Sequence, residues 1–390
     1  MKFSHFLTSK KIGILAFLAV FFTFLNVNAQ NHGQEHATDS AVVEQVETGH
    51  HDSHEEKKFD INTFIFHHIG DSYEFHFWGH GENWTGLYLP VILYTPNGLV
   101  CFSSKEFHLN DDGSVVVEKA GMRFAKAHGK IYYAAEEAVH GSYVHHEKND
   151  KGKEVVTNTR PLDFSITKNV FTIFFSVALL LVIFLTVASG YKKREGKAPK
   201  GLQSVLEPII IFVRDDIAKP NLGHKYERFM PYLLTVFFFI WINNMLGLVP
   251  FFPGGANVTG NIAITMVLAV FTLIIILFNG NKYYWGHIFN PPVPWWLKPL
   301  MIPVEIFGIF TKPFALMIRL FANITAGHIL VLSLLCLVFI FSSLAVAPVS
   351  VFFVVFIGAI ELLVAFIQAF IFTILSALFI GMAIEEHADH

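Results

Sequence analysis

Two hydrophobic rhythms divide the chain. From about residue 166 onward, apolar residues come in long unbroken runs; before that they alternate with polar ones over short stretches. Val170–Gly190 is long enough for one spanning helix of about 20 residues, and Pro231–Val249 and Asn257–Phe278 read the same way. Ser204–Ala218 is amphipathic, carries Arg214, Asp215 and Asp216, and is expected to lie along the membrane interface. Two further apolar segments, Pro303–Phe341 and Val349–Glu385, are too long to stand upright. At 1.5 Å per residue each reaches roughly 55 Å, against a hydrocarbon core of about 30 Å. They must tilt, kink or run partly along the membrane. Pro313 offers a kink, and a turn at Ala347-Pro348 makes the pair a hairpin with a broad face for a neighbour.

The alternating part predicts a small β-rich domain within residues 59–165. Apolar positions alternate from Phe59 and Ile61 through Phe64, Phe66, Tyr73, Phe75 and Phe77. Thr95-Pro96-Asn97-Gly98 marks a turn between Leu87–Tyr94 and Leu99–Phe102, and Asn110-Asp111-Asp112-Gly113 leads into Val115–Val117. His67, His68, His76 and His80 are read as surface residues of such strands rather than as a metal cluster. Residues 30–58 are rich in His, Glu, Gln and Ser and read as a solvated segment, with a metal-binding tail as the other reading. Residues 1–29 have the form of a signal peptide: Lys2, Lys10 and Lys11, a short apolar stretch Ile12–Leu25, then Val27-Asn28-Ala29 as a small-residue cleavage site. An uncleaved first helix is the other reading. Residues 166–390 form the membrane domain.

Composition sharpens this division. Only 15% of residues are charged, against about 25% in an ordinary soluble domain, so much of the chain avoids water. A net charge of −3 gives no reason to expect a nucleic-acid partner. Cys101 lies in the polar part and Cys336 in an apolar run, so no disulfide joins them, and no cysteine cluster calls for a metal or cofactor. The basic cluster Tyr191-Lys192-Lys193-Arg194, with Lys197 and Lys200, marks a cytoplasmic loop, as does Lys282–Lys298 with its interfacial Tyr and Trp residues. The turns on the other side carry neither Lys nor Arg. Five spans, all-α, with the mature N-terminus outside and the C-terminus inside follow.

Chemistry concentrates on the two over-long segments. Arg319 sits between Met317-Ile318 and Leu320-Phe321, far from either end of its apolar run. A charge at that depth costs at least about 2.5–3.5 kcal/mol and marks function or snorkelling; Lys312 is the better snorkeller. Arginine does not release its proton near neutrality, so it attracts carboxylates without relaying protons. Asn323 lies one turn on, with His328 following; Glu361 and Gln368 share a face of the second segment. An imidazole and a shielded carboxyl on neighbouring helices can exchange protons near neutral pH. Glu305, fourteen residues before Arg319, places another acid toward the cytoplasmic end. An acid–imidazole pair on one side, an acid on the other and a cation between them suit a mobile carboxylate on a partner, which unloads to one side, meets Arg319 while charged and reloads from the other.

Lys312-Pro313-Phe314-Ala315-Leu316-Met317-Ile318-Arg319-Leu320-Phe321-Ala322-Asn323-Ile324-Thr325-Ala326-Gly327-His328 resembles the signature of subunit a of bacterial F-type ATP synthases. Gln368-Ala369-Phe370-Ile371-Phe372, Asn244 within Asn243-Asn244-Met245-Leu246-Gly247, and Glu305 extend the likeness over roughly residues 200–388. The resemblance implies a non-catalytic stator with two offset half-channels. Arg319 would face carboxylates of a rotating c-ring. Asn323, His328, Glu361, Gln368 and Asn244 would line the periplasmic half-channel, and Glu305 the cytoplasmic one. Partners would be the c-ring, subunit b, the F1 sector and lipid. Relative to some members, His328 and Glu361 are exchanged, so the acid–imidazole couple survives; Gly247 replaces an acid. The domain before residue 160 lies outside the common core. The alternative is a stand-alone proton-coupled transporter, which would ordinarily show the internal repeats this chain lacks; a metal sensor on a simple anchor would need neither five spans nor a buried arginine.

Overall fold

Alternation in the polar part becomes short antiparallel strands, and each long apolar run becomes one helix. A computed structural model describes residues 69–78, 85–139, 141–148, 154–194, 196–249, 252, 254–341 and 347–385. The expected leader, residues 30–58, His67, His68, His80 and the tail beyond Glu385 lie outside them.

In the N-terminal domain β1 (Glu74–Trp78) pairs with β2 (Thr85–Tyr88). Next come β3 (Pro90–Thr95), β4 (Gly98–Ser103), β5 (Asp112–Lys119), β6 (Met122–Ala127), β7 (Lys130–Tyr133), β8 (His146–Lys148), β9 (Glu154–Val156) and β10 (Leu162–Asp163). They form the sheets β10-β3-β4, β5-β6-β7 and β8-β9. The Thr95–Gly98 turn closes β3 onto β4 as expected, with Gly98 at φ 107. Leu87–Tyr94, however, is two strands rather than one: Leu89 lies between them, giving its N–H to Tyr73 O on the β1 side and accepting Ser104 N–H on the β4 side, so the chain passes there from one sheet to the next. The Ala120-Gly121 and His128-Gly129 turns have positive φ at both positions, the geometry whose twist suits two-residue hairpins. Val91, Leu93, Phe107, Phe124 and Ile131 fill the core between the sheets.

The membrane domain begins with α1 (Lys168–Lys193), capped by the Thr167 hydroxyl on Val170 N–H. Helix α2 (Leu202–Phe212) continues through a π turn, Val213–Ala218, that carries Arg214 and Asp215. Then follow α3 (Tyr226–Leu248), α4 (Ile262–Asn279), a short α5 (Lys282–Phe289), α6 (Lys298–Phe341) and α7 (Ala347–Ile384). Helix α3 starts at Tyr226, five residues before Pro231, which it carries inside the helix. Residues 257–261 are not helical; the side chains of Asn257 and Asn261 accept the backbone N–H groups of Gly260 and Ala263 instead. Helix α6 runs through both Pro303 and Pro313, and α7 already begins at Ala347, so the hairpin connection lies in residues 342–346, outside the described residues. At 44 and 38 residues, α6 and α7 are about 66 and 57 Å long, roughly twice the hydrocarbon thickness.

The two domains are joined firmly. Lys168 N–H donates to Ser72 O at 2.8 Å, and Asp71 accepts Asn169 N–H at 3.0 Å, extending the cap of α1 into the β domain. Burial at this junction pushes the Asp71 carboxyl above the usual carboxylate range, against the hydrogen bonds from Asn169, Thr167 and Ser72. The Phe252 ring meets those of Phe75, Phe77 and Phe171 at 5.4, 5.7 and 5.6 Å, clasping the α3–α4 connection to both.

Candidate functional site

Helices α3, α4 and α7 pack into the buried core of the membrane domain, with Leu233, Phe237, Ile240, Ile264, Leu268 and Ala369 fully covered. The hairpin is different. In the most apolar stretch of α6, and likewise of α7, only 11% is buried within the chain. One side of α6 shows Phe307, Phe314, Ile318 and Arg319 uncovered, and α7 shows Val351, Phe352, Val355 and Phe356. An apolar surface this large marks lipid or a partner.

Where the hairpin meets α3, a small cavity of about 20 Å³ opens between Asn244, Leu248, Asn323, Ile324, His328, Glu361 and Val364. A space of about this size admits one water molecule. Four of the seven residues singled out in the sequence line it: Asn244 from α3, Asn323 and His328 from α6, and Glu361 from α7. Glu361 lies against the backbone of Gly327, so closely that a β-carbon there would collide with Oε1. His328 Nε2 stands 3.6 Å from where a β-carbon of Gly247 would be, so an acid at that position would crowd the imidazole. Asn244 is anchored at both ends of its amide: Nδ2 donates to Ala365 O at 3.2 Å, and Oδ1 accepts from Thr259 Oγ1 at 2.5 Å. Thr259 carries no motif of its own, and Gly327 figures only as part of the Lys312–His328 signature, with no role. The polar run Asn257-Val258-Thr259-Gly260-Asn261 at the mouth of a span was the available signal for the first.

The other three residues stand apart from the cavity. Gln368 is buried on α7, two turns beyond Glu361 and three residues past Ala365. Arg319 is exposed on α6, nine residues or about 13 Å before His328, and no ion pair of Arg319 occurs among the described residues. Lys312 is held over the Phe379 ring at 5.6 Å. Glu305 is half-buried, about 21 Å from Arg319 along the helix, near Tyr284, whose hydroxyl is raised by burial and by that carboxylate. Among the described residues no cluster of metal ligands occurs.

A polar cavity flanked by an acid and an imidazole, on a pair of over-long apolar helices with an uncovered arginine, belongs to a multi-pass membrane protein of ion translocation. The family model described as ATP synthase A chain matches residues 170–381, more than half of the sequence, and the chain belongs to that family. It is similar to ATP synthase subunit a of Chloroherpeton thalassium, 49% identical over 236 residues covering 58% of this chain and 69% of the relative. It is also similar to ATP synthase subunit a 2 of Prosthecochloris aestuarii, at 51% over 58% and 71%, and to ATP synthase subunit a of Myxococcus xanthus, at 45% over 59% and 77%. Its role is that of the proton-channel stator in the membrane sector of an F-type ATP synthase; the relatives are synthase subunits, not transporters. The β domain matches a separate domain family of unknown function over residues 64–164.

Proposed function

We propose that Arg319 separates two offset half-channels through which protons reach and leave carboxylates on a rotating ring of c subunits. Asn244, Asn323, His328, Glu361 and Gln368 serve the outer half-channel, and Glu305 serves the inner one. The observation that carries this reading is the water-sized cavity shared by Asn244, Asn323, His328 and Glu361, with an uncovered Arg319 nine residues before His328 on α6. A proton entering from outside passes between the Glu361 carboxyl and the His328 imidazole, which Asn244 and Asn323 orient, and then protonates a ring carboxylate. The neutral carboxyl moves through lipid. On its return it releases the proton toward Glu305, and the carboxylate is held by Arg319, which cannot itself pass the proton on. Each charge crossing the potential supplies about 2.3 kcal/mol per 100 mV for rotation.

The chain works as a non-catalytic partner of the c-ring, subunit b and the F1 sector. The loops that carry Lys192, Lys193, Arg194, Lys197 and Lys200 face the cytoplasm, as does the C-terminus, while the β domain and the mature N-terminus are periplasmic. The test is Arg319→Gln in the assembled synthase. Proton-driven ATP synthesis is expected to vanish while the complex still assembles; synthesis at a normal rate would sink the proposal.

A further inference from the structure

The β domain has no part in the half-channels as drawn so far, yet beside the aromatic clasp its junction with α1 also buries charged and polar groups. Glu74 Oε1 accepts from Lys126 Nζ at 2.8 Å, and both side chains are nearly buried. Asp71 and Lys168 complete a balanced cluster of two acids and two bases at the outer end of α1. Below it on α1 come Asn169, Thr172 and Ser176, all within the buried tenth of the surface range. Ser176 is satisfied by Ile173 O at 2.9 Å. Glu74 Oε2, Asn169 Oδ1 and Thr172 Oγ1 are buried with no protein partner. So are Asn257 Nδ2, in the connection that Phe252 clasps, and Asn243 Oδ1, beside Asn244.

These atoms follow one another in depth. The rings of Phe184 and Phe238 touch at 4.9 Å, which sets the antiparallel register of α1 against α3. Counting outward from that contact, Ser176 is level with Leu246, and Thr172 is about one turn further out. Gly247, next to Leu246, lies near the level of Ser176, and a β-carbon there would stand 3.4 Å from Ala256 O and 3.6 Å from His328 Nε2. Thr172 and Asn257 therefore stand at the depth of the cavity's outer edge, and Glu74 and Asn169 stand outside it. A buried polar atom without a partner costs about 1–3 kcal/mol, and five in one region are ordinarily matched by ordered water.

We propose that the seam between the β domain and the outer end of α1 is a hydrated inlet to the cavity at Asn244, Asn323, His328 and Glu361, with the β domain forming its outer wall. Water held by Glu74, Asn169, Thr172, Asn257 and Asn243 carries protons by exchange along its hydrogen bonds, each molecule accepting one proton and passing one on. The inference rests on the outer half-channel proposed above.

The test uses the whole synthase in proteoliposomes whose lumen corresponds to the outer face. In a Cys101→Ser, Cys336→Ala background, Thr172→Cys and, separately, Leu248→Cys are introduced; Leu248 lines the cavity itself. Silver ions are enclosed in the lumen, a thiol scavenger is kept outside, and ATP-driven proton pumping is followed. A several-fold loss of pumping for both variants, with the cysteine-free parent unaffected, supports the inlet. Block at Leu248→Cys but not at Thr172→Cys overturns the inlet and leaves the half-channel standing. Block at neither overturns both. Should Thr172→Cys fail to assemble, Thr172→Val replaces it, since it removes only the hydroxyl's hydrogen bonding: a several-fold lower flux supports the inlet, and an unchanged flux overturns it.

Discussion

Gly327 on α6 lies against the Glu361 carboxyl of α7, and an alanine there separates packing from proton handling. Its added β-carbon would overlap Glu361 Oε1 and stand 3.1 Å from Cδ and 3.5 Å from Cγ, so the carboxyl, not the backbone, must give way. Alanine favours a helix over glycine by about 1 kcal/mol, while a Glu361 side chain forced off its rotamer costs about 0.5–1.5 kcal/mol. The two nearly cancel, so Gly327→Ala is expected to assemble and melt like the parent. The carboxyl, however, no longer rests in the cavity beside His328. If this raises the barrier for proton entry by about 1.4 kcal/mol, flux falls about tenfold. ATP-driven pumping and passive proton conduction of the assembled synthase measure the loss. Glu361→Asp, one methylene shorter, should return part of the flux when combined with Gly327→Ala while lowering it in the parent. Full flux in Gly327→Ala, or additive losses in the double variant, would refute the reasoning.

Two further expectations concern the frame around the site. Gly381 on α7 faces the backbone of Asn221, whose carbonyl oxygen a β-carbon would strike; here no flexible side chain can yield, so Gly381→Ala should cost about 1–3 kcal/mol and lower the melting temperature of the detergent-solubilised chain, and an unchanged melt would show the contact to be loose. In the β domain, hydrogen bonds from the Ser114 backbone and side chain hold the Asp112 carboxyl below its usual range. Its folded form thus binds its proton less readily than the unfolded one, so its contribution is complete above the ordinary carboxyl value of 3.8 and fades as pH falls through the lower folded value. Asp112→Asn should flatten this part of the acid unfolding curve of the β domain, read by circular dichroism, and an unchanged curve would count against it.

Much of the architecture is legible in the residues because a bilayer judges each segment alone. Its thickness tests the length of an apolar run, which is why Val170–Gly190 and the two over-long segments can be recognised without knowing their neighbours. Turn chemistry is equally local, and Thr95–Gly98 closes its hairpin as read. Arg319, His328 and Glu361 stand out because ionisable groups are costly at that depth. Ends were less legible: α3 begins before Pro231 with no side-chain cap to mark it, and Asn257–Asn261 stays out of α4 because the Asn257 and Asn261 side chains take up backbone N–H groups there.

Which of these residues meet was decided by tertiary packing. Asn244 takes its orientation from Thr259 and Ala365, 15 and 121 positions away. Glu361 is seated by Gly327, and the β domain is fastened to α1 through Asp71 and Phe252. No period within a segment encodes such pairs. They depend on which faces of separate helices come together, and in lipid that choice rests on close packing and on polar groups finding partners rather than on escape from water.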